Sequence, residues 1–168
     1  MAALLPIRRF PDPLLKQPTQ PVARIDEPVK RLIESMIQTM CHHPHCVGLA
    51  APQVGSALRI AVMDSSRYPK TTNSLGLIIL VNPQIESAEE ITVKREGCLS
   101  VPDLTANVRR AVLVRVRATN QFGSTRLLTL EGFEAIIAQH EIDHLDGKLF
   151  LDRVANLKTD VFQRTTYR

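Results

Sequence analysis

Gln139-His140-Glu141-Ile142-Asp143-His144 is the stretch from which the rest of this 168-residue chain is read. It lies near the end of a run, Phe133 to Leu145, in which Phe133, Ile136 and Ile137 recur at helical spacing. Continuing that face from Phe133 by seven and then eleven residues reaches His140 and His144. Both imidazoles are therefore expected to face the core one turn apart, where they can grip one metal ion. Glu141, directly after the first histidine, can reach a water held by that ion. The arrangement suits hydrolysis. Two such histidines can also be core residues satisfied by hydrogen bonds, but the spacing and the adjacent glutamate weigh against that. A zinc-type catalytic site needs a third protein ligand, so the remaining sequence is read for one.

The composition narrows the class. With 44% apolar residues, the chain reads most simply as one domain, 1–168, large enough to bury a core without staples. It has no internal repeats and no apolar run of membrane-spanning length, and Met1-Ala2-Ala3-Leu4-Leu5-Pro6 is too short for a signal peptide. No membrane association is expected, and the cytoplasm is the expected setting. Cys41, Cys46 and Cys98 make an odd number, which argues for reduced thiols or metal thiolates over a disulfide scaffold. The net charge of +4 is spread along the chain. It suits work near an anionic body such as the ribosome, although a solvated surface is the simpler reading. No basic stripe with interleaved aromatics predicts nucleic-acid readout.

Taken in order, Pro6, Pro11, Pro13, Pro18 and Pro21 predict an extended surface arm over residues 5–24. Asp26 reads as a helix N-cap. Val29, Leu32, Ile33, Met36, Ile37 and Met40 then form one face of a helix ending near Cys41. Cys41-His42-His43-Pro44-His45-Cys46 invites a metal reading by composition, but Pro44 interrupts it and no separated ligand pairs are present, so a loop is expected. Val47-Gly48-Leu49-Ala50-Ala51-Pro52-Gln53-Val54-Gly55 is a run of small residues that permits close backbone approach. Its one polar side chain, Gln53, either caps the following strand or aims a donor at an oxyanion. Strands are predicted at Leu58–Asp64, Leu77–Val81 and Ile91–Lys94, the first two separated by a polar loop from Ser65 to Ser74. Within Glu96-Gly97-Cys98-Leu99-Ser100-Val101-Pro102, Cys98 reads either as a small buried hydrophobe or as a thiolate ligand. Arg110–Ala118 and Thr125–Leu130 predict a hairpin about Asn120-Gln121-Phe122-Gly123, Gly147 caps the histidine helix, and Leu149–Arg168 supplies at most a short docked segment.

Three stretches stand together in this order: Val47-Gly48-Leu49-Ala50-Ala51-Pro52-Gln53, Glu96-Gly97-Cys98-Leu99-Ser100, and Gln139-His140-Glu141-Ile142-Asp143-His144. They resemble the three signature motifs of peptide deformylases, enzymes that remove the N-formyl group from new bacterial and organellar proteins. The likeness extends to Phe10-Pro11-Asp12-Pro13-Leu14 and Asp146-Gly147-Lys148-Leu149-Phe150. It implies an α+β fold, with mixed short antiparallel sheets around a central metal-binding helix. It also implies Cys98, His140 and His144 as metal ligands, Glu141 as general base and acid, and Gln53 with the Leu99 N–H as oxyanion donors. Gly48 would contribute a backbone contact to the N-formyl-methionyl peptide. The implied ion is Fe2+ in the cell, with Zn2+, Ni2+ or Co2+ as other occupants; a thiolate among the ligands admits iron as well as zinc. The ribosome, near its exit tunnel, is the partner such a role suggests. Two positions depart from the pattern. Cys46 stands where the first motif usually opens with glycine, and an arginine that often follows the second motif is not clearly placed: Thr105 and Asn107 occupy the region, with Arg109 and Arg110 slightly later.

Val47, Phe133, Ile136 and Ile137 are candidate walls for a methionine side chain, and equally candidates for plain core. The main rival is a helical zinc metalloprotease, which shares the His-Glu-x-x-His pair but usually takes its third ligand downstream. After His144 only Asp146, Asp152 and Asp160 remain as metal-binding side chains, so Cys98 favours the deformylase pattern. A purely structural metal site leaves Glu141 unexplained, because four protein ligands leave no water to activate.

Overall fold

The computed structural model describes residues 2–165. Among them the chain forms two α-helices and six strands: α1 (Glu27–His42), β1 (Gly48–Ala50), β2 (Ile60–Asp64), β3 (Leu77–Cys98), β4 (Val101–Thr119), β5 (Thr125–Glu131), α2 (Phe133–Leu145) and β6 (Val161–Gln163). The fold is α+β. The strands pair antiparallel in the order β1-β2-β3-β4-β5, with β6 added to β4.

The two helices cover opposite faces of the sheet, as β2 shows. Ala61 and Met63 pack in the cluster that includes Ile137, Ala138 and Ile142 of α2, whereas Ile60 and Val62 pack in the cluster with Val29, Ile33, Met36 and Met40 of α1. Successive side chains on a strand point to opposite faces, so a strand between two helices reads as an unbroken apolar run. Each fully buried Ile, Val or Met here contributes about 1.5–3 kcal/mol. Helix α1 starts as expected, with the Asp26 side chain accepting from Val29 N at 3.1 Å. Among the described residues, no helix is long and apolar enough to cross a membrane.

Helix α2 occupies the predicted span and packs on β1, β2, β4 and β5. It buries Ala135, Ile136, Ile137, Ala138, Ile142 and Leu145 together with Glu134, Glu141, Asp143 and His144. Gly147 ends it at φ 75°, a left-handed conformation that favours glycine, and a Cβ there would stand 2.8 Å from the Gln17 carbonyl carbon.

Three expectations need adjusting. Leu77–Val81 and Ile91–Lys94 are parts of one long strand, β3. The polar residues between them stay paired to β4 through register shifts at Val81/Gln84 and Ile85/Ser87, with Asn82 and Glu90 at positive φ. Asn82 is held there by exchanging hydrogen bonds of 2.8 and 2.9 Å with Val22. Strand β4 likewise begins at Val101, nine residues before the predicted hairpin strand. The N-terminal arm is more than a surface segment. Its Pro13–Lys16 turn buries Leu15 completely, Arg8 N donates to Gln53 O at 2.7 Å, Phe10 N to Ser100 O at 2.9 Å, and Thr19 N to Leu145 O at 2.9 Å. It thus ties the first motif, the second motif and the end of α2 together. The C-terminal segment, for which the sequence allows at most a short docked piece, docks through buried Leu149 and Phe150 and through β6; residues 166–168 of it lie outside the described residues.

Candidate metal centre

Strand β3 ends at Cys98, and α2 carries His140 and His144 past it. One ligand atom from each of the three lies within 4.8 Å of the others, and among the described residues this is the only such group of three or more His, Cys, Asp or Glu side chains. Cys98 Sγ is 3.3 Å from His144 Nε2, and the two imidazole rings cross edge to face at 5.0 Å. A buried thiol, the buried His144 imidazole and the partly buried His140 imidazole, converging on one point, fit a borderline-soft divalent cation. Two of the three aspartates downstream of His144 are engaged elsewhere: Asp146 pairs with Arg59 and Asp152 with Lys16.

The tautomer at His140 is set from behind. Its Nδ1 lies 2.8 Å from Glu96 Oε2, so Nδ1–H donates to the carboxylate and Nε2 keeps its lone pair for a ligand. Glu96 is gripped by Arg110 through Nε at 2.7 Å and Nη2 at 3.0 Å, and Arg110 Nη1 reaches Asp143 at 2.6 Å. Asp143 in turn accepts from Arg153 Nε at 3.1 Å and Nη2 at 2.8 Å. A chain of charged groups, His140–Glu96–Arg110–Asp143–Arg153, buried at Glu96, Arg110 and Asp143 and exposed at Arg153, therefore braces the helix against β3 and β4. The sequence reading did not single out Glu96 or Asp143, and it left the arginine usual after the second motif unplaced, with Arg109 and Arg110 slightly later. At 3% exposure between two carboxylates, Arg110 is committed to this chain of charges.

The electrostatics favour metal binding. Burial opposes ionisation of Cys98, yet the adjacent His144 and His140 imidazoles hold its thiol well below the usual range. Burial likewise works against Glu96, but hydrogen bonds from His140 and Arg110 bring its carboxyl down to about 2. Glu141 goes the other way: burial pushes it up to about 7, against the pull of His140 and His144. Its Oε2 has no hydrogen-bond partner among the described residues, and a Cβ at Gly48 would come within 2.5 Å of its Oε1. The carboxyl thus sits against the bare backbone of β1 and can take up or release a proton near neutral pH.

Gln53 is buried with its Oε1 accepting from Ala50 N at 2.9 Å. Its Nε2 turns to the centre, donating to Ser100 Oγ at 3.2 Å and lying 3.4 Å from Cys98 Sγ. Leu99 follows Cys98 in the tight turn between β3 and β4. Val47 and Phe133 are half-buried against the cluster holding Ile137, and Ile136 is buried on α2. The Cys-His stretch divides: Cys41 is exposed, whereas Cys46 is buried and its thiol donates to Gly48 O at 3.2 Å. Burial and the neighbouring Glu141 charge push that thiol up to about 12, which keeps it protonated.

The family model described as polypeptide deformylase matches residues 4–160. A peptide deformylase of Mesorhizobium japonicum is 42% identical over 157 residues, covering 93% of this chain and 87% of its own. That of Aquifex aeolicus is 45% identical over 145 residues, covering 86% and 84%. Among solved structures, the peptide deformylase of Thermotoga maritima matches with a TM-score of 0.83 at 40% identity, covering 91% of this chain and 99% of that one. The Met-Ala-Ser-bound class I type b peptide deformylase of Acinetobacter baumannii matches with a TM-score of 0.85 at 34% identity, covering 92% and 100%.

Proposed function

This chain belongs to the peptide deformylase family, and from that premise we propose how its own residues divide the work: Cys98, His140 and His144 hold one divalent metal ion, Glu141 moves the proton, and Gln53 with the Leu99 N–H steadies the oxyanion. The activity is metal-dependent hydrolysis of the N-formyl group of nascent peptides, which releases formate and frees the N-terminus. The observation that best supports this division is the convergence of a thiol and two imidazoles beside a buried carboxyl pushed up to about 7.

When bound, the ion supplies Lewis-acid polarisation and lets water act as a nucleophile near neutral pH. Glu141 accepts a proton from the attacking water at its carboxylate and delivers it to the departing amine nitrogen as the C–N bond breaks. Gln53 Nε2–H and the Leu99 N–H donate to the oxygen that gains charge; losing one such donor typically costs about 3–4 kcal/mol of barrier. Glu96 keeps His140 in one tautomer and one orientation. Gly48 leaves the space that the Glu141 carboxyl occupies.

For the methionine side chain we assign Val47, Phe133, Ile136 and Ile137 as walls. The Acinetobacter relative was solved with a peptide that begins with Met, a product-like ligand that suits such a pocket. A thiolate with two imidazoles admits Fe2+ as well as Zn2+, Ni2+ or Co2+, and we take Fe2+ as the ion in the cell. Residues 1–168 are read as one catalytic domain working in the cytoplasm near the ribosomal exit tunnel. Formate release from a formyl-Met peptide, measured beside cleavage of an internal peptide bond, tests the reading. Internal cleavage without formate would overturn it in favour of a general metalloprotease.

A further inference from the structure

The C-terminal strand brings one more cation onto the end of β3, beside the residue that precedes Cys98. Strand β6 pairs with β4 at Leu104, Thr105 and Ala106, and the next residue, Arg164, donates its backbone N–H to Asp103 O at 2.8 Å. The strand is clamped from the side: Arg95 lies 3.6 Å over the Phe162 ring while its Nε donates to Asn107 Oδ1 at 2.9 Å. Arg164 is therefore held by its backbone, and its guanidinium lies against the Cα of Gly97. A Cβ at Gly97 would overlap Arg164 Nη2 and stand 3.1 Å from Cζ, so this glycine is needed for the contact. The small Thr105 side chain, 3.5 Å from the same point, leaves the room.

Gly97 immediately precedes Cys98, and its surface is open to solvent. Arg164 is half-buried there, yet no described carboxylate forms an ion pair with it, unlike Arg110 and Arg153, which share Asp143. A guanidinium carries five donors in a rigid fork and no acceptor. Laid on open backbone one residue from a proposed metal ligand, with no ion-paired acid among the described residues, it suits a run of acceptor oxygens passing over Gly97.

Resting on the deformylase reading, we propose that Arg164 grips the substrate chain beyond formyl-methionine. Its Nη groups donate to a backbone carbonyl downstream and, in a short substrate, to the terminal carboxylate. The C-terminal strand then carries a determinant of peptide length and end-group preference, separate from the pocket for the first side chain.

Steady-state kinetics on three substrates tests this: formyl-Met amide, formyl-Met-Ala-Ser with a free carboxylate, and the same tripeptide amidated. Arg164→Ala should raise KM on the free tripeptide about ten- to a hundredfold, the range of a hydrogen bond to a charged group. It should leave kcat nearly unchanged and formyl-Met amide unaffected. Arg164→Lys should recover part of the loss, and the wild-type enzyme should prefer the free over the amidated tripeptide. That last comparison needs no variant, so a poorly folded Arg164→Ala protein does not shield the idea. An equal loss on all three substrates would make Arg164 a mere anchor of β6, and no change on any would also overturn the proposal. Wild-type enzyme that releases no formate from any of them would overturn the deformylase reading itself.

Discussion

Arg110→Met removes the guanidinium from the middle of a buried ionic chain while keeping much of its volume. Glu96 and Asp143 would then sit in the core, both 6% exposed, with only His140 and Arg153 left to balance them. The depression of Glu96 from 4.5 to about 2 corresponds to about 3 kcal/mol of folding stability, of which His140 supplies a share. Stranding one partner of a buried pair costs about 3–5 kcal/mol, and Asp143 adds to the charge left behind. At about 2–4 °C per kcal/mol for a domain of this size, Tm should fall by about 6–20 °C. Because the folded pKa of Glu96 is depressed, the stability it contributes is present above its unfolded value of 4.5 and is lost as pH falls toward about 2. The Tm gap between wild type and variant should therefore be widest near neutral pH and close as pH falls through that window. His140 also loses its fixed orientation, so metal affinity should drop about 10–100-fold. Calorimetry across pH with metal analysis at neutral pH reads all three effects. A variant with wild-type Tm and metal content, or a gap that persists unchanged at low pH, would refute the claim that this chain of charges supports the centre.

Other expectations are narrower. Glu141→Gln should keep the metal and lose about 10²–10⁴-fold in turnover; a near-normal rate would remove Glu141 from the mechanism. Formyl-Met peptides should far outrun acetyl-Met peptides, because a hydrogen on the carbonyl carbon fits where a methyl clashes, and comparable rates would point to a general aminoacylase. Protein purified without added metal should carry close to one equivalent, falling sharply on Cys98→Ala and unchanged by Cys41→Ser with His43→Ala. A second tight equivalent lost with the Cys41 and His43 changes would reopen the Cys-His stretch as a site.

The part of the fold that sequence makes plain is the part where period and burial agree. Helix α2 is bounded as read, since Phe133, Ile136 and Ile137 begin a face that His140 and His144 continue, and Gly147 stops it. The middle of β3 is different. Between Asn82 and Glu90 the strand has few apolar residues, bends through two register shifts and places two non-glycine residues at positive φ, so no alternation survives to announce it. Its pairing depends on β4, which lies later in the chain. The proline-rich arm misleads for a related reason: closely spaced prolines disfavour regular structure but do not forbid burial, and Leu15 fills a core position that only the docked arm defines.

The same distinction runs through the centre. Cys98, His140 and His144 are legible because cysteine and histidine are scarce in this chain, and each lies in a dense motif: two on one helix, the third in a stretch of its own. Glu96 and Asp143 are common residue types, and a carboxylate buried against a guanidinium looks, one residue at a time, like a carboxylate on a wet surface. A faint signal exists. Arg110 falls in phase with buried Ala106 and Val108 on β4, where an unpaired charge would be costly, and Glu96 stands two residues before Cys98. That phase implies a buried acid partner without naming it, because the partners stand 14 and 33 residues away and only the fold brings them to 2.7 and 2.6 Å. A charge on an inward-facing strand position is therefore the mark to search for, and the acid that answers it has to be sought on whichever elements the apolar pattern packs against that strand.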